Sequence, residues 1–373
     1  MILEKLQINQ FRNISKESIR FDKKVNILYG RNGQGKTSFL ETIYILALTK
    51  SFKAYSDKIF LQHSQNFLEI KGDFISANKN NMEIRYYYSE TEGKNVFLNG
   101  NKLDKFSDLI GIVPVVLLSL EDFELTYGLP ANRRRFLDIL LSQVHPLYLN
   151  ALQNYKKCLA QRNKLLTLIK EIKEPPSSLE PWDEQLVKYG SEIVRYRLQF
   201  VDFLSQRMST KYRKISSIAE ENVEVEYKTN IMGEKQISDR KKSTILFKEQ
   251  LVKNKEKDIL KETTTVGPHR DDLLFLKNGY PFKTYGSQGE NKTFLIALKL
   301  VESEYVLKNA KEEPLLLLDD IFGELDEYRI GRLLDYITEI GQTFITTTVR
   351  QKFQNVSLNK DNFFEVENGR ILQ

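Results

Sequence analysis

Eight consecutive residues, Gly30, Arg31, Asn32, Gly33, Gln34, Gly35, Lys36 and Thr37, have the types and spacing needed to hold a polyphosphate. They fit Gly-x4-Gly-Lys-[Ser/Thr], a pattern that requires a strand before it and a helix after it. Both flanks are present: Val25 to Tyr29 reads as a strand, and residues 38–46, opened by Ser38, read as an amphipathic helix. Glycines accept positive φ without steric cost, so consecutive backbone N–H groups can turn inward around an anion. A helix starting at Lys36 adds the partial positive charge of its N-terminus. In that geometry Lys36 reaches the β- and γ-phosphates and the Thr37 hydroxyl sits on Mg2+. The bland alternative is a glycine-rich turn between a strand and a helix. With both glycines, the lysine, the threonine and the flanks in place, the pattern predicts a nucleoside triphosphate.

A second group of acids matches the first. Leu315 to Leu318 form an all-apolar run into Asp319 and Asp320, as in a buried parallel strand with carboxylates at its carboxyl end. Ligands of such folds lie beyond those strand ends. Asp319 is therefore placed to hold Mg2+, directly or through water, and Asp320 to orient or deprotonate an attacking water, with Lys36 as the other catalytic group. Alone, the run could equally be a strand ending in a solvated turn. Ser287, Gln288, Gly289 and Glu290 stand at a helix start, and serve either as a plain N-cap or as a second anion site.

The elements that must position these groups belong to an α/β chain interrupted by a helical insert. Ile2 to Phe11 alternates apolar and polar residues, as a half-buried strand does. Strand-like stretches follow at 68–75, 82–89 and 96–98, with Asn99-Gly100 as a hairpin turn into 101–103. Residues 113–118 form a buried apolar run. Beyond Glu121 helix formers and charges dominate. Leu152, Tyr155, Leu159, Leu166 and Ile169 share one face, as do Leu186, Tyr189, Ile193, Tyr196, Phe200 and Phe203. Pro175, Pro176 and Pro181 break the run between them. The pattern predicts two antiparallel helices of about 30 residues, each about 45 Å long. They form either an arm or a core-packed bundle. A strand at 223–228 and a lysine-rich solvated stretch at 235–261 close the insert. From Thr263 the α/β character returns, with 342–348 as the last central strand. The expected division is a head from 1–120 and 263–373 and a helical lobe from 121–262, with 285–310 free to pack against that lobe.

Composition narrows the class. The chain has 373 residues, 41% of them hydrophobic, and a net charge of +6, which permits a polyanionic partner without requiring one. A single cysteine, Cys158, excludes an internal disulfide and a cysteine zinc site and suits a reducing cytosol. His63, His145 and His269 are far apart and read as surface or loop histidines. No apolar run approaches a membrane span and Met1 leads straight into a strand, so a cytoplasmic location is expected. Basic clusters that could contact DNA phosphates are Arg133, Arg134 and Arg135; Lys156 and Lys157; Arg162 and Lys164; and Arg240, Lys241 and Lys242. Each could instead be solvated, and Arg133 to Arg135 could join ion pairs around Asp138. No sequence-reading DNA motif is visible, so backbone contacts would dominate.

Several motifs resemble those of ATP-binding-cassette ATPases. Ser287 to Glu290 resembles the signature motif, which in that class meets the γ-phosphate held by a different subunit. Residues 323–326, ending in Asp326, resemble the D-loop. Thr346, Thr347 and Thr348 occupy the switch position where many relatives carry histidine, which weighs against a histidine sensor. The spacing from Lys36 to Ser287 exceeds that of a transporter ATPase and lacks the long coiled coil of a chromosome-maintenance ATPase. Taken together, the chain resembles the RecF family of bacterial recombination and repair ATPases along nearly its whole length. The resemblance runs through Asn9 to Asn13, residues 30–37, Leu40-Glu41, Leu120 to Asp122, Asn132 to Asp138, Gln161 to Asn163, Gly267 to Asp272, Ser287 to Gly289 and Asp319-Asp320. It implies an ABC-type ATPase head binding ATP and Mg2+, with Arg12, Asn13, Ser287, Gly289 and Asp326 joining the nucleotide site. It further implies a cytoplasmic, ATP-dependent protein of DNA repair, replication and the SOS response. Such a protein binds duplex and gapped DNA, dimerises with ATP, hydrolyses it slowly under DNA stimulation, and helps RecR and RecO load RecA. An alternative is a structural ATP-gated clamp, related to chromosome-maintenance proteins, that holds protein partners rather than DNA. A phosphoryl-transferring kinase would need no second subunit's helix end.

Overall fold

The computed structural model describes residues 1–21, 24–54, 56–216, 221–231, 240–324, 327–337, 339–353 and 362–372. In chain order the first part holds β1 (Ile2–Phe11), β2 (Ile14–Arg20), β3 (Val25–Tyr29), α1 (Lys36–Leu48), β4 (Phe67–Ile75), β5 (Asn81–Ser89), β6 (Gly93–Leu98), β7 (Asn101–Lys102) and β8 (Val115–Leu118). The middle holds α2 (Pro130–Val144), α3 (Pro146–Lys170), α4 (Glu180–Ser216), β9 (Val223–Lys228), α5 (Arg240–Lys253), α6 (Lys255–Lys261), β10 (Asp272–Lys277), β11 (Tyr280–Pro281) and α7 (Phe282–Tyr285). The last part holds α8 (Gln288–Asn309), β12 (Leu315–Asp319), α9 (Glu327–Ile337), β13 (Thr343–Thr347), β14 (Phe363–Glu367) and β15 (Arg370–Leu372). Two compact units result: residues 1–122 with 295–373, and residues 123–294. Among the described residues no helix is long and apolar enough to cross a membrane.

The first unit contains two sheets. One is antiparallel, in the order β2-β1-β4-β5-β6-β7. Its β6–β7 turn is the expected one: Asn99 and Gly100 both take positive φ, 50° and 80°, as a two-residue hairpin loop requires. The other has the order β15-β14-β3-β13-β12-β8, with every pairing parallel except the edge pair β14–β15. Every residue of β12 and β13 is buried, the pattern of strands covered on both faces. Register fixes the functional end of this sheet. Thr347 lies opposite Tyr29, the last residue before the glycine-rich loop, and Asp319 lies opposite Thr346. The strand 343–347 is central as expected, but it is not the last: β14 follows it in the chain and pairs with β3 on the other side.

In the second unit α3 and α4 run antiparallel, with Tyr148 against Tyr196 at one end and Arg162 paired with Asp183 toward the other. The prolines break the helix as predicted, through a turn at Pro176–Leu179, but the helices have 25 and 37 residues rather than equal lengths. Leu166, Ile169 and Leu179, beside the turn, pack with Ile259 of α6, so this end belongs to a core rather than to a bare arm. The lysine-rich stretch is not simply solvated, because α5 buries Phe247 and Leu251 completely or nearly so. The division of the chain also differs from expectation. Strand β10 pairs antiparallel with β9, and β11 with β10, so residues 263–294 join the inserted unit and the head resumes at 295.

Segment 267–272 is pinned into this unit by buried polar groups. The His269 ring lies 2.7 Å from the Tyr155 hydroxyl through Nδ1 and 3.0 Å from the Thr264 carbonyl through Nε2. A carbonyl can only accept, so Nε2 carries the proton and Nδ1 accepts from Tyr155. Burial pushes the His269 pKa down to about 4, so the ring is neutral at pH 7. Asp271 accepts from the Tyr227 hydroxyl at 2.6 Å, and burial raises its pKa. Arg197 donates to the Pro268 carbonyl at 2.7 Å and to Asp138 at 2.9 Å.

Candidate nucleotide-binding site

The glycine-rich loop leaves β3 and enters α1 at Lys36, as its spacing predicts. Two glycines are required by geometry. Gly35 has φ 106°, and a Cβ there would come within 2.7 Å of the Asn13 amide. A Cβ on Gly30 would come within 2.3 Å of the Val366 carbonyl oxygen. Arg31, Asn32 and Gly33 are exposed at the tip of the loop, and Gln34 is half-buried. The Gln34 carbonyl accepts from the Asn13 amide at 3.1 Å and from the Gly369 N–H at 2.8 Å. The Ser38 hydroxyl donates to the Asn13 side-chain oxygen Oδ1 at 3.4 Å. Asn13 therefore braces the loop. Lys36 is buried and its ammonium donates to the carbonyls of Gly30 and Arg31, each at 2.9 Å. Burial lowers its pKa, and the nearby charges of Asp320 and Asp319 oppose that shift.

The acids meet this loop at the strand ends. Asp319 Oδ1 accepts from the Thr37 hydroxyl at 2.8 Å and from the Thr346 hydroxyl at 2.7 Å. Thr346 Oγ1 in turn accepts from the Asp320 N–H at 2.9 Å. Asp320 has φ 54°, an uncommon value for a residue with a side chain, at the point where the chain leaves β12. Donation by Thr37 leaves its oxygen lone pairs available. With Asp319 it forms an all-oxygen donor set suited to Mg2+. Sequence reasoning treated Thr346 only as a substitute for histidine, whereas it bridges both acids. Its signal was available: a hydroxyl residue opposite the acidic strand end in a neighbouring parallel strand.

Arg12 lies farther along a separate chain of contacts. Its guanidinium pairs with the buried Glu41, Nη2 donating to Oε1 at 2.8 Å and Nε lying 2.7 Å from Oε2. Glu41 also accepts from the Ser51 hydroxyl. The Lys53 ammonium, which the sequence did not single out, stands 3.6 Å from Asp319 Oδ2.

In the second unit Ser287 begins α8 with a reciprocal cap. Its N–H donates to Glu290 Oε2 at 2.8 Å and its hydroxyl accepts from the Glu290 N–H at 3.3 Å. Lys277 holds Glu290 at 2.6 Å. Ser287 and Gly289 are exposed. Asp326 lies outside the described residues.

The basic clusters divide, and two candidate DNA contacts are corrected. Arg162 is completely buried, paired with Asp183 at 2.6 Å and Asp258 at 2.7 Å. Arg133 is buried and bidentate on Asp272, 2.7 and 3.0 Å away, and also donates to the Gly128 carbonyl at 3.0 Å. Neither guanidinium can reach a DNA backbone without leaving a carboxylate behind. Arg134 is half-buried and donates to the Asp271 carbonyl at 2.8 Å. Arg135, Lys156 and Lys157 are exposed, with Lys156 3.7 Å from Asp138.

Comparison with known proteins gives the family and the fold. The profile of the RecF/RecN/SMC N terminal domain family matches residues 2–371. "DNA replication and repair protein RecF" of Salinibacter ruber is 38% identical over 95% of this chain and 86% of its own length. The protein of the same name from Bacillus cereus is 36% identical over 100% of this chain and 98% of its own. A solved structure titled "Structure of the recombination mediator protein RecF-ATP in RecFOR pathway" superposes with a TM-score of 0.91 at 32% identity, covering 100% of this chain and 97% of that one. An Smc head bound to the C-winged helix domain of ScpA shares the fold at a TM-score of 0.57 and 15% identity. The fold is the mixed α/β head of ABC-type, SMC-like ATPases, and the chain belongs to the RecF family.

Proposed function

We propose that this chain is an ATP-dependent DNA-binding protein of recombinational repair and replication restart, in which ATP joins two copies and hydrolysis releases them. The observation that carries this reading is the gathering of Lys36, Thr37, Asp319, Asp320 and Thr346 at the ends of three parallel strands. Lys36 would hold the β- and γ-phosphates, and Thr37 with Asp319 would hold Mg2+. When bound, Mg2+ neutralises charge on the phosphoryl group being transferred. Asp320 orients the attacking water and accepts its proton. Arg31, Asn32, Gly33 and Gln34 supply backbone N–H groups, braced by Asn13 and Ser38. Ser287 and Gly289 of one copy receive the γ-phosphate held by the other, with Asp326 assigned to the same interface. Arg135, Lys156 and Lys157 are the candidate DNA-backbone contacts. By family, the work is done in the cytoplasm with RecR and RecO, at single-strand gaps where RecA is loaded during the SOS response.

Light scattering with ATP and Mg2+, beside a hydrolysis assay, tests the reading. Ser287→Arg should spare ATP binding, which uses the chain's own phosphate loop, and abolish ATP-dependent dimers by crowding the partner's phosphate. Asp320→Asn should keep the dimer and lose hydrolysis. A Ser287→Arg protein that still dimerises, or an Asp320→Asn protein with wild-type turnover, overturns the roles. Hydrolysis stimulated by a gapped duplex supports a DNA-binding function. Stimulation by protein partners with indifference to DNA points instead to the clamp.

A further inference from the structure

We propose that Lys53 competes with a divalent cation for Asp319, and so sets the cation concentration at which nucleotide is held. The proposal rests on the reading of residues 30–37 and Asp319 as a nucleotide–Mg2+ site. The two oxygens of Asp319 are unequal. Oδ1 already accepts two hydroxyl hydrogens, from Thr37 and Thr346. Oδ2 is the oxygen facing a cation, and the cation facing it is the Lys53 ammonium at 3.6 Å. An ammonium and Mg2+ cannot both sit against that oxygen, because like charges a few ångströms apart in a partly buried site repel strongly. One must leave for the other to bind.

Lys53 is held at this place by contacts on both sides of it in the chain. Its own N–H donates to the Ser51 hydroxyl oxygen at 2.8 Å, and the Ala54 N–H donates to the same oxygen at 2.9 Å. The Ser51 hydroxyl donates to Glu41, which is 1% exposed and paired with Arg12. Phe52 packs edge-on against Tyr44 with centroids 5.3 Å apart. Both Glu41 and Tyr44 belong to α1, the helix that starts at Lys36. The backbone at Lys53 is thus fastened to the phosphate-loop helix, and yielding to a cation is left to the four-carbon stem. Arg12 braces this segment through Glu41 and Ser51.

The test uses the full chain and two readouts. The first is Mn2+ binding without nucleotide, followed by electron paramagnetic resonance. The second is the half-saturating Mg2+ for binding of a fluorescent ATP analogue. Partly exposed ion pairs are weak, so Lys53→Ala and Lys53→Gln should bind Mn2+ about two- to fivefold more tightly than the wild type. They should need correspondingly less Mg2+. Lys53→Arg, which keeps the charge, should stay near the wild type, and adding Asp319→Asn should erase the difference among all of them. Mn2+ affinity that is unchanged, weaker or undetectable in the neutral variants overturns the proposal, and either neutral variant suffices if the other fails to fold. Tighter Mn2+ binding in a protein that binds no ATP analogue would defeat the nucleotide reading and leave the competition standing.

Discussion

The phosphate loop of the first unit and segment 267–272 of the second are both short, polar and glycine-initiated, and both carry part of the family resemblance. They use their polar groups in opposite ways. In the loop, Arg31, Asn32 and Gly33 face solvent and Lys36 donates to two backbone carbonyls. In segment 267–272 the polar groups are matched by partners of their own unit. His269 lies between Tyr155 and Thr264, Asp271 holds Tyr227, and Asp272 holds Arg133. Gly267 is needed there because a Cβ would come within 2.3 Å of the Tyr155 hydroxyl. A segment that carries a family resemblance can therefore spend its polar groups inside the fold. The difference lies in how much of the hydrogen-bonding capacity is met within the unit.

That contrast predicts which property each substitution damages. The largest effect should come from Arg162→Ala, which strands the wholly buried Asp258 without its counter-charge. Breaking such a pair costs about 3–5 kcal/mol of stability, measurable by urea denaturation, while ATP affinity in the remaining folded protein should change little. Wild-type stability would mean that water or a rearranged partner reaches Asp258.

Lys36→Ala should do the reverse. Losing charge-assisted bonds to phosphate should cost about 3 kcal/mol of ATP binding, about a hundredfold in Kd by calorimetry, with the urea midpoint nearly unchanged. Lys36→Arg keeps the charge in a different geometry, so binding can survive while hydrolysis falls. Unchanged affinity in Lys36→Ala would refute the assignment of the loop.

A smaller effect separates the two regions by pH. The folded pKa of His269 is lowered to about 4 from an ordinary 6.5. The unfolded chain then binds more protons between those values, so the His269 contribution is complete above pH 6.5 and is lost as pH falls toward 4. Between pH 7 and pH 5 this amounts to about 2 kcal/mol, read as the difference between the wild type and His269→Gln in urea midpoints at both pH values. Equal slopes in the two proteins would show that the ring charges without penalty.

Much of the nucleotide site was legible because its signals are local. The glycine spacing, the apolar run into Asp319 and the Asn99-Gly100 turn each depend on a few neighbouring residues. What was hidden depended on pairing across the chain. The α/β pattern of residues 263–284 points to the head, with 285–310 free to pack with the lobe, and it is the β9–β10 pairing that reveals which unit they complete. Arg133 and Arg162 read like any other basic residue, since sequence does not show that Asp272 and Asp258 will meet them. Lys53 belongs to no motif and Thr346 is marked only by the switch position; their contacts to the acids follow from strand register and from a fastened loop.

The strand that launches the phosphate loop has a consequence for how the protein comes into being. β3 lies between β13 and β14, both made near the end of synthesis, and the Gln34 carbonyl is bonded by Gly369 later still. On the ribosome the complete glycine-lysine motif emerges early, with both edges of its strand unpaired, and the long-range contacts that shape it come last. A chain halted before β12 carries every letter of the motif and none of the carboxylates or parallel strands beside it. Nucleotide affinity is therefore expected only once β13 and β14 have paired with β3, so an ATP-binding assay should separate a finished head from a fragment that still displays the motif.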